Sequence, residues 1–437
     1  MKTPKIRRLT LASLLLLATG SSLAGGSALS VRERALIREV DRNYPEQLAL
    51  LEQIVNQNSE TMNFDGVTAV GAPFLDGLKA LGFETRWQDL RASANRAGHV
   101  IAIRTGHTGK RLLLIGHIDT VHPKTSPFNR FVRDGERARG PGTDDMKNGD
   151  AVILYALKAL NAGGLLKDRN ITVILTGDEE MTAADTALTR GAMISAAQAA
   201  DVVLSFESGE PGVIVTSRRG YTSWRLEVGG KQAHSGSIFT PSVGAGAIFE
   251  TARILNGFYE QVRGDPKLTF NAGTIAGGTE AAFDSNSNSG TLFGKENVVP
   301  KTTIVVGEIR AISAAQDART RSKMESIVAA HLPGTQAQIH FQSDFAAMEE
   351  KPGNLALQRQ YSDISVALGQ GPLRPNDPVT RGAGDISFVA NIVPEALDGL
   401  GGAGEGAHST DEWVDLTSFR IATQRAAILI ARLTASR

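Results

Sequence analysis

The chain has 437 residues with 46 basic and 46 acidic side chains and no cysteine, which excludes disulfides, thiolate metal sites and cysteine nucleophiles. Its length exceeds what one hydrophobic core supports, so two domains are expected. Balanced charge without a basic patch gives no footprint for nucleic acid.

Residues 1–24 read as an export signal. Lys2, Lys5, Arg7 and Arg8 precede an apolar run at 9–17, and Ser22-Leu23-Ala24 offers small residues for cleavage; the run is too short to span a membrane. Removing it leaves 42 basic against 46 acidic residues, a mildly acidic mature protein expected in the periplasm or outside the cell and free of the membrane. Arg7-Arg8 leaves twin-arginine export open as an alternative.

Helices are expected at 31–57 and 66–80, the second ending at Leu81-Gly82. Apolar runs at 111–115, 171–175 and 202–204 read as buried parallel strands, and 149–160 has helical spacing. That order predicts an α/β domain with a mixed or parallel sheet and helices on both faces, whose ligands gather at the carboxyl ends of strands. From about Arg218 the pattern becomes strand 221–228, helix 243–262, strands 268–275 and 303–312, helix 314–332 and strand 337–341. This β-α-β-β-α-β order predicts an inserted α+β, ferredoxin-like domain, with 284–290 as a mobile loop. The expected domains are 25–217 with 345–437, and 218–344.

Five islands carry the chemistry: 116–120 with His117 and Asp119, 143–149 with Asp144 and Asp145, 176–180 with Glu179 and Glu180, 205–207 with Glu207, and 406–409 with His408. His117 and Asp119, two apart after a strand, point the same way, so the carboxylate can orient the imidazole; a surface turn is the alternative. One of Asp144-Asp145 could instead cap the following helix. Adjacent Glu179 and Glu180 repel unless a cation compensates them. The glycine-rich turns at 381–385 and 399–402 lack the pattern of a phosphate-cradling loop. His107 and His122 read as solvated loop residues, while His99, His331 and His340 have no legible partner.

In order and spacing these islands resemble the M20 family of zinc metallopeptidases, and within it the glutamate carboxypeptidases, over nearly the whole mature chain. The resemblance implies two zinc ions per chain bridged by Asp145, with His117 and Glu207 completing one set of ligands and Glu180 and His408 the other. Glu179 would be the general base acting on a shared water, and Asp119 the group that orients His117. It further implies that His234, in Gly229-Gly230-Lys231-Gln232-Ala233-His234, stabilises the oxyanion in a partner subunit's site. Asn297 and Arg310 would hold the substrate's free carboxylate, and the inserted domain would form a homodimer. Two places depart from the family pattern: Gly384 lacks the usual hydroxyl, and 342–345 lacks an arginine that could read the substrate side chain.

The expected function is an exported dizinc carboxypeptidase releasing a C-terminal amino acid, glutamate above others, from a peptide or N-acyl amino acid. An aminoacylase, deacetylase or dipeptidase would use the same residues. A two-lobed solute-binding protein would explain the leader and length but not the strand-end carboxylates.

Overall fold

The computed structural model describes residues 28–435 except 286, so the expected export signal lies outside the described residues. Among those described, no helix is long and apolar enough to cross a membrane. α1 (Val31–Val55) begins at a capping box between Ser30 and Glu33, each satisfying a backbone N–H that helix geometry leaves free. α2 (Phe64–Ala80) is capped by Asn63 and ends before Gly82, whose φ of +80° suits glycine.

Two strands follow that the sequence did not announce, β1 (Glu84–Asp89) and β2 (Gly98–Arg104). β1 has polar, half-exposed residues at an edge, and its apolar content is too low to signal a strand. β3 (Thr108–His117), α3 (Lys147–Ala162), β4 (Arg169–Thr176), α4 (Thr186–Gln198) and β5 (Val202–Ser205) come next.

The chain then builds a second sheet. β6 (Tyr221–Gly230), α5 (Gly246–Gln261), β7 (Thr269–Gly278), β8 (Glu280–Asp284), β9 (Ser289–Phe293), β10 (Thr302–Arg310), α6 (Ala314–Ala329) and β11 (Thr335–Phe345) are its elements. Its order β7-β10-β6-β11 is antiparallel throughout, the split β-α-β arrangement expected. Trp224, Leu226, Ile254, Phe258, Val305 and Met324 form a core of their own. The supposed loop at 284–290 is corrected: β8 and β9 pair in a hairpin from Glu280 with Phe293 to Asp284 with Ser289. Its Ser-Asn run supplies the turn, while backbone pairing extends to either side of it.

α7 (Pro352–Ala367), β12 (Glu395–Leu397) and α8 (Leu416–Leu433) return to the first domain. The first sheet runs β1-β2-β4-β3-β5-β12; β3, β4, β5 and β12 are parallel, and β2 and β1 are antiparallel additions. Period-two alternation sends Leu112 and Leu114 of β3 into a core with Leu51, Val70, Leu154 and Ile428 from α1, α2, α3 and α8. Leu113 and Ile115 face the other way, onto Met193 and Ala197 of α4. Helices therefore cover both faces, and the ends of β3, β4 and β5 open side by side.

Candidate active site

His117 is the last residue of β3, Glu179 and Glu180 follow β4, and Glu207 follows β5. Asp145 comes from the turn before α3. That helix can approach the loop bearing Glu207 because residue 149 is glycine: a Cβ there would stand 1.8 Å from the carbonyl oxygen of Phe206. His408 arrives from the final loop with a left-handed φ of +63°, uncommon for a residue with a side chain.

These side chains form two sets sharing Asp145. His117, Asp145 and Glu207 make one, and Asp145, Glu180 and His408 the other. His117 Nε2 lies 3.2 Å from Asp145 Oδ1 and 3.6 Å from Glu207 Oε1. His408 Nε2 lies 3.1 Å from Asp145 Oδ2 and 3.0 Å from Glu180 Oε2. Ligands about 2.0–2.1 Å from a tetrahedral ion stand roughly 3.3 Å apart, so both sets have the spread of a metal site. Each Asp145 oxygen serves one set, the geometry of a bridging carboxylate.

The electrostatics agree. Burial pushes Glu207 up to about 8, with Asp145 adding to the effect and His117 opposing it. Burial first, then neighbouring carboxylates, also raise Glu179 and Glu180 above the usual range. Asp145 moves the other way, because hydrogen bonds from both histidines outweigh its burial. Carboxylates packed this closely hold protons unless cations replace them. Nitrogen and oxygen donors without sulfur suit borderline zinc.

Backbone and buried polar groups set the positions. The carbonyl of Asp119 lies 3.2 Å from His117 Nδ1 and takes its second N–H. The Asp119 carboxylate stands 3.5 Å from the same Nδ1 and also accepts the backbone N–H of Glu179 at 3.1 Å, that of Glu180 at 3.2 Å and the Thr61 hydroxyl at 2.6 Å. It therefore fixes the turn carrying base and ligand, a wider task than orienting an imidazole.

Glu412, which the sequence reading did not single out, holds the opposite side. It accepts the N–H groups of Gly142, Asp144 and Asp145 at 3.0, 2.8 and 3.0 Å and meets His122 Nε2 at 2.9 Å. His122 is thus buried and paired, not solvated; its partner lies 290 residues away in the chain. His99 also has partners, the Thr189 carbonyl at 2.8 Å and the Gly177 N–H at 3.2 Å. Neither aspartate caps α3, whose N-cap Met146 has no side-chain bond; the peptide between Asp145 and Met146 is cis. Asp144 is buried without a partner on Oδ1, and burial pushes it up to about 8, with Asp145 and Glu412 adding to the effect.

Beneath Glu179 lies a second unforeseen group. The fully buried Arg190 donates to Asp178 at 2.5 Å and to Asp385 at 2.7 Å, and Asp385 accepts the Thr176 hydroxyl. Only the place of Asp178 and Asp385 inside motif segments could have signalled them. Arg190 stands in no motif.

The remaining predicted residues fall in two places. Asn297 and His234 are exposed neighbours: His234 bridges to Val298, and the Ser235 N–H donates to the Asn297 carbonyl at 2.9 Å. Arg310 lies at the other end of β10, where Thr222 pairs with Ile309, bonded to Glu308 at 2.8 Å and 4.4 Å above the Tyr221 ring. The eight steps from Thr302 to Arg310 span roughly 25 Å. One chain does not bring Asn297 and Arg310 to a common carboxylate.

Comparison with known proteins places these residues in company. The model of peptidase family M20/M25/M40 matches residues 113–432. The chain is similar to carboxypeptidase G2 of Pseudomonas sp. strain RS-16, with 27% identity over 99% of this chain and 100% of that protein. It is also similar to the succinyl-diaminopimelate desuccinylase of Leptothrix cholodnii, with 26% identity over 85% of this chain and 94% of that protein. Its fold matches the crystal structure of a dinuclear metal binding peptidase of the M20 family from Bacillus subtilis, at TM-score 0.64 and 14% identity, covering 90% and 99% of the two chains.

Proposed function

Since this chain belongs to peptidase family M20/M25/M40, a metal-dependent family of amide hydrolases, we propose that it is an exported dizinc carboxypeptidase that releases a C-terminal amino acid, with glutamate the favoured residue. Family membership sets the solute-binding reading aside. The observation that carries the proposal is the pair of donor sets sharing Asp145, with Glu179 beside them and uncommitted.

A zinc pair bound by His117, Asp145 and Glu207 and by Asp145, Glu180 and His408 would supply Lewis acidity and an acidified water. The chain's own residues do the rest. Glu179 belongs to neither set, and burial raises its affinity for a proton, which suits it to accept one from water and pass it to the leaving amine. Asp119 keeps Glu179 and Glu180 in register through their backbone N–H groups. Arg310 provides a planar fork for a carboxylate.

The inserted domain lends support to a homodimer. Ile248, Phe249, Tyr259, Ile275, Leu292 and Phe293 on α5, β7 and β9 are exposed large apolar side chains, a grouping that marks an interaction face. A second copy could bring His234 and Asn297 to a site their own chain leaves without them. Export rests on the leader composition at 1–24.

The full-length likeness to a carboxypeptidase favours this reading, and the likeness to a desuccinylase favours an N-acyl amino acid hydrolase as the second. A panel of N-acyl amino acids differing in the C-terminal side chain separates them, alongside metal analysis of protein purified without chelator. Two zinc ions per chain and a glutamate preference above a few-fold are expected. A preference for glutamate of less than a few-fold would sink the glutamate assignment.

A further inference from the structure

We infer that Arg218 binds the substrate's free carboxylate beside Glu179, an assignment that rests on the exopeptidase reading above. Arg218 is at the junction of the two domains, with 7% of its side chain exposed. Nε donates to Asp398, and Nη1 donates to the carbonyls of Gly382 at 3.0 Å and Ala383 at 3.4 Å. Nη2 donates to no described residue and is not among the sealed polar atoms that lack a partner. One corner of a rigidly held fork is therefore free.

Gly384 shows where that fork stands. A Cβ at this position would lie 3.2 Å from Arg218 Nη1 and 3.5 Å from Glu179 Oε1, so guanidinium and base border the same small space. The backbone there is extended, with φ of −167°, and does not itself require glycine. The absence of a side chain is thus the departure that leaves the guanidinium room next to the base.

Chemistry then relates the two groups. In an amino acid leaving as an amine, the carboxylate is one carbon from the nitrogen that Glu179 protonates. A guanidinium next to Glu179 is therefore within reach of that carboxylate when the amide lies over the donor sets. Arg310 is paired with Glu308 and stacked on Tyr221, as Arg218 is paired with Asp398, so Arg218 adds a contact next to the base to the one proposed for Arg310. Arg218 is held through Nε and Nη1, and its planar fork suits a carboxylate better than an ammonium does.

The test compares wild type with Arg218→Lys on an N-acyl amino acid and its carboxamide. The ratio of kcat/KM for acid over carboxamide should fall about 10- to 100-fold, the scale of a lost charged hydrogen bond, with bound metal retained. Gly384→Ala is a second variant that keeps the Asp398 pair and crowds Nη1; it should raise KM for the acid more than for the carboxamide. Unchanged ratios in both variants overturn the assignment. Wild-type protein that cleaves no N-acyl amino acid overturns the functional reading, and the assignment with it.

Discussion

Arg310 and His234 stand at opposite ends of one antiparallel sheet. Arg310 is near the strand start at Tyr221, whose ring it covers, while His234 lies beyond the strand end at Gly230. A site using both needs two chains. Mixing His234→Ala with Glu179→Ala protein should restore activity that neither variant has alone, because a hybrid dimer keeps one intact pairing. Absence of any recovery counts against shared sites.

Glu179→Gln should lower kcat by about 10²- to 10⁴-fold, the usual contribution of a positioned proton-transfer group. Metal content should stay at the wild-type value, because Glu179 belongs to neither donor set. Loss of metal in the variant would instead mark Glu179 as a ligand.

Metal affinity should rise with pH. In the metal-free protein, the hydrogen bonds His408 donates to Asp145 and then to Glu180 push it up to about 11. Burial alone would lower His117, but the carboxylates of Glu207, Asp119 and Asp145 raise it well above its ordinary value. His408 is then protonated at neutral pH, and a metal must displace its proton. Each displaced proton makes apparent affinity about tenfold stronger per pH unit in this range. The sign for folding is opposite: the His408 contribution to the metal-free fold is full below its unfolded pKa near 6.5 and is lost as pH rises through about 11. Zinc titrations between pH 6 and 8 check the first claim, and a flat profile contradicts it.

Glu412→Gln should weaken zinc binding by about 10- to 100-fold, the range found for partners that orient ligands. Glu412 holds three backbone N–H groups around the Asp145 turn and meets His122. A neutral amide cannot accept all of them as well. Equal zinc affinity in the variant would make Glu412 a structural residue only.

Arg190→Met should destabilise the fold by about 3–5 kcal/mol, because it strands Asp178 and Asp385 as buried carboxylates without their cation. Denaturant unfolding of the metal-free protein measures this. A loss below about 1 kcal/mol would mean that water or protons already satisfy the pair.

Much of the site was legible because the ligands lie next to strong local patterns. Apolar runs in β3, β4 and β5 announce buried strands, and the ends of such strands are where His117, Glu180 and Glu207 fall. The paired carboxylates Glu179 and Glu180 point to a cation without any coordinates. Strand β1 was not legible, since a polar edge strand has no periodic apolar signal; β2, an inner strand with Val100, Ile101 and Ala102 buried, carries a short apolar run that the reading passed over. The β8–β9 hairpin escaped for a related reason: its pairing depends on backbone bonds, and its Ser-Asn turn reads as loop.

By itself the sequence determined the chain's class of chemistry, because residue types and their places at strand ends limit which donors are available and where they emerge. It also determined the split order of the inserted sheet, through helix and strand periodicities that are local. The family resemblance implied how those donors divide around Asp145, and the tertiary structure brought them into those two sets; it alone revealed that Glu412, His122, Arg190 and Asp385 hold the surroundings in place. It alone separated Arg310 from His234 by the length of a strand and set Arg218 beside Glu179. Those relationships join residues tens to hundreds of positions apart, and no local pattern records a contact that only packing creates.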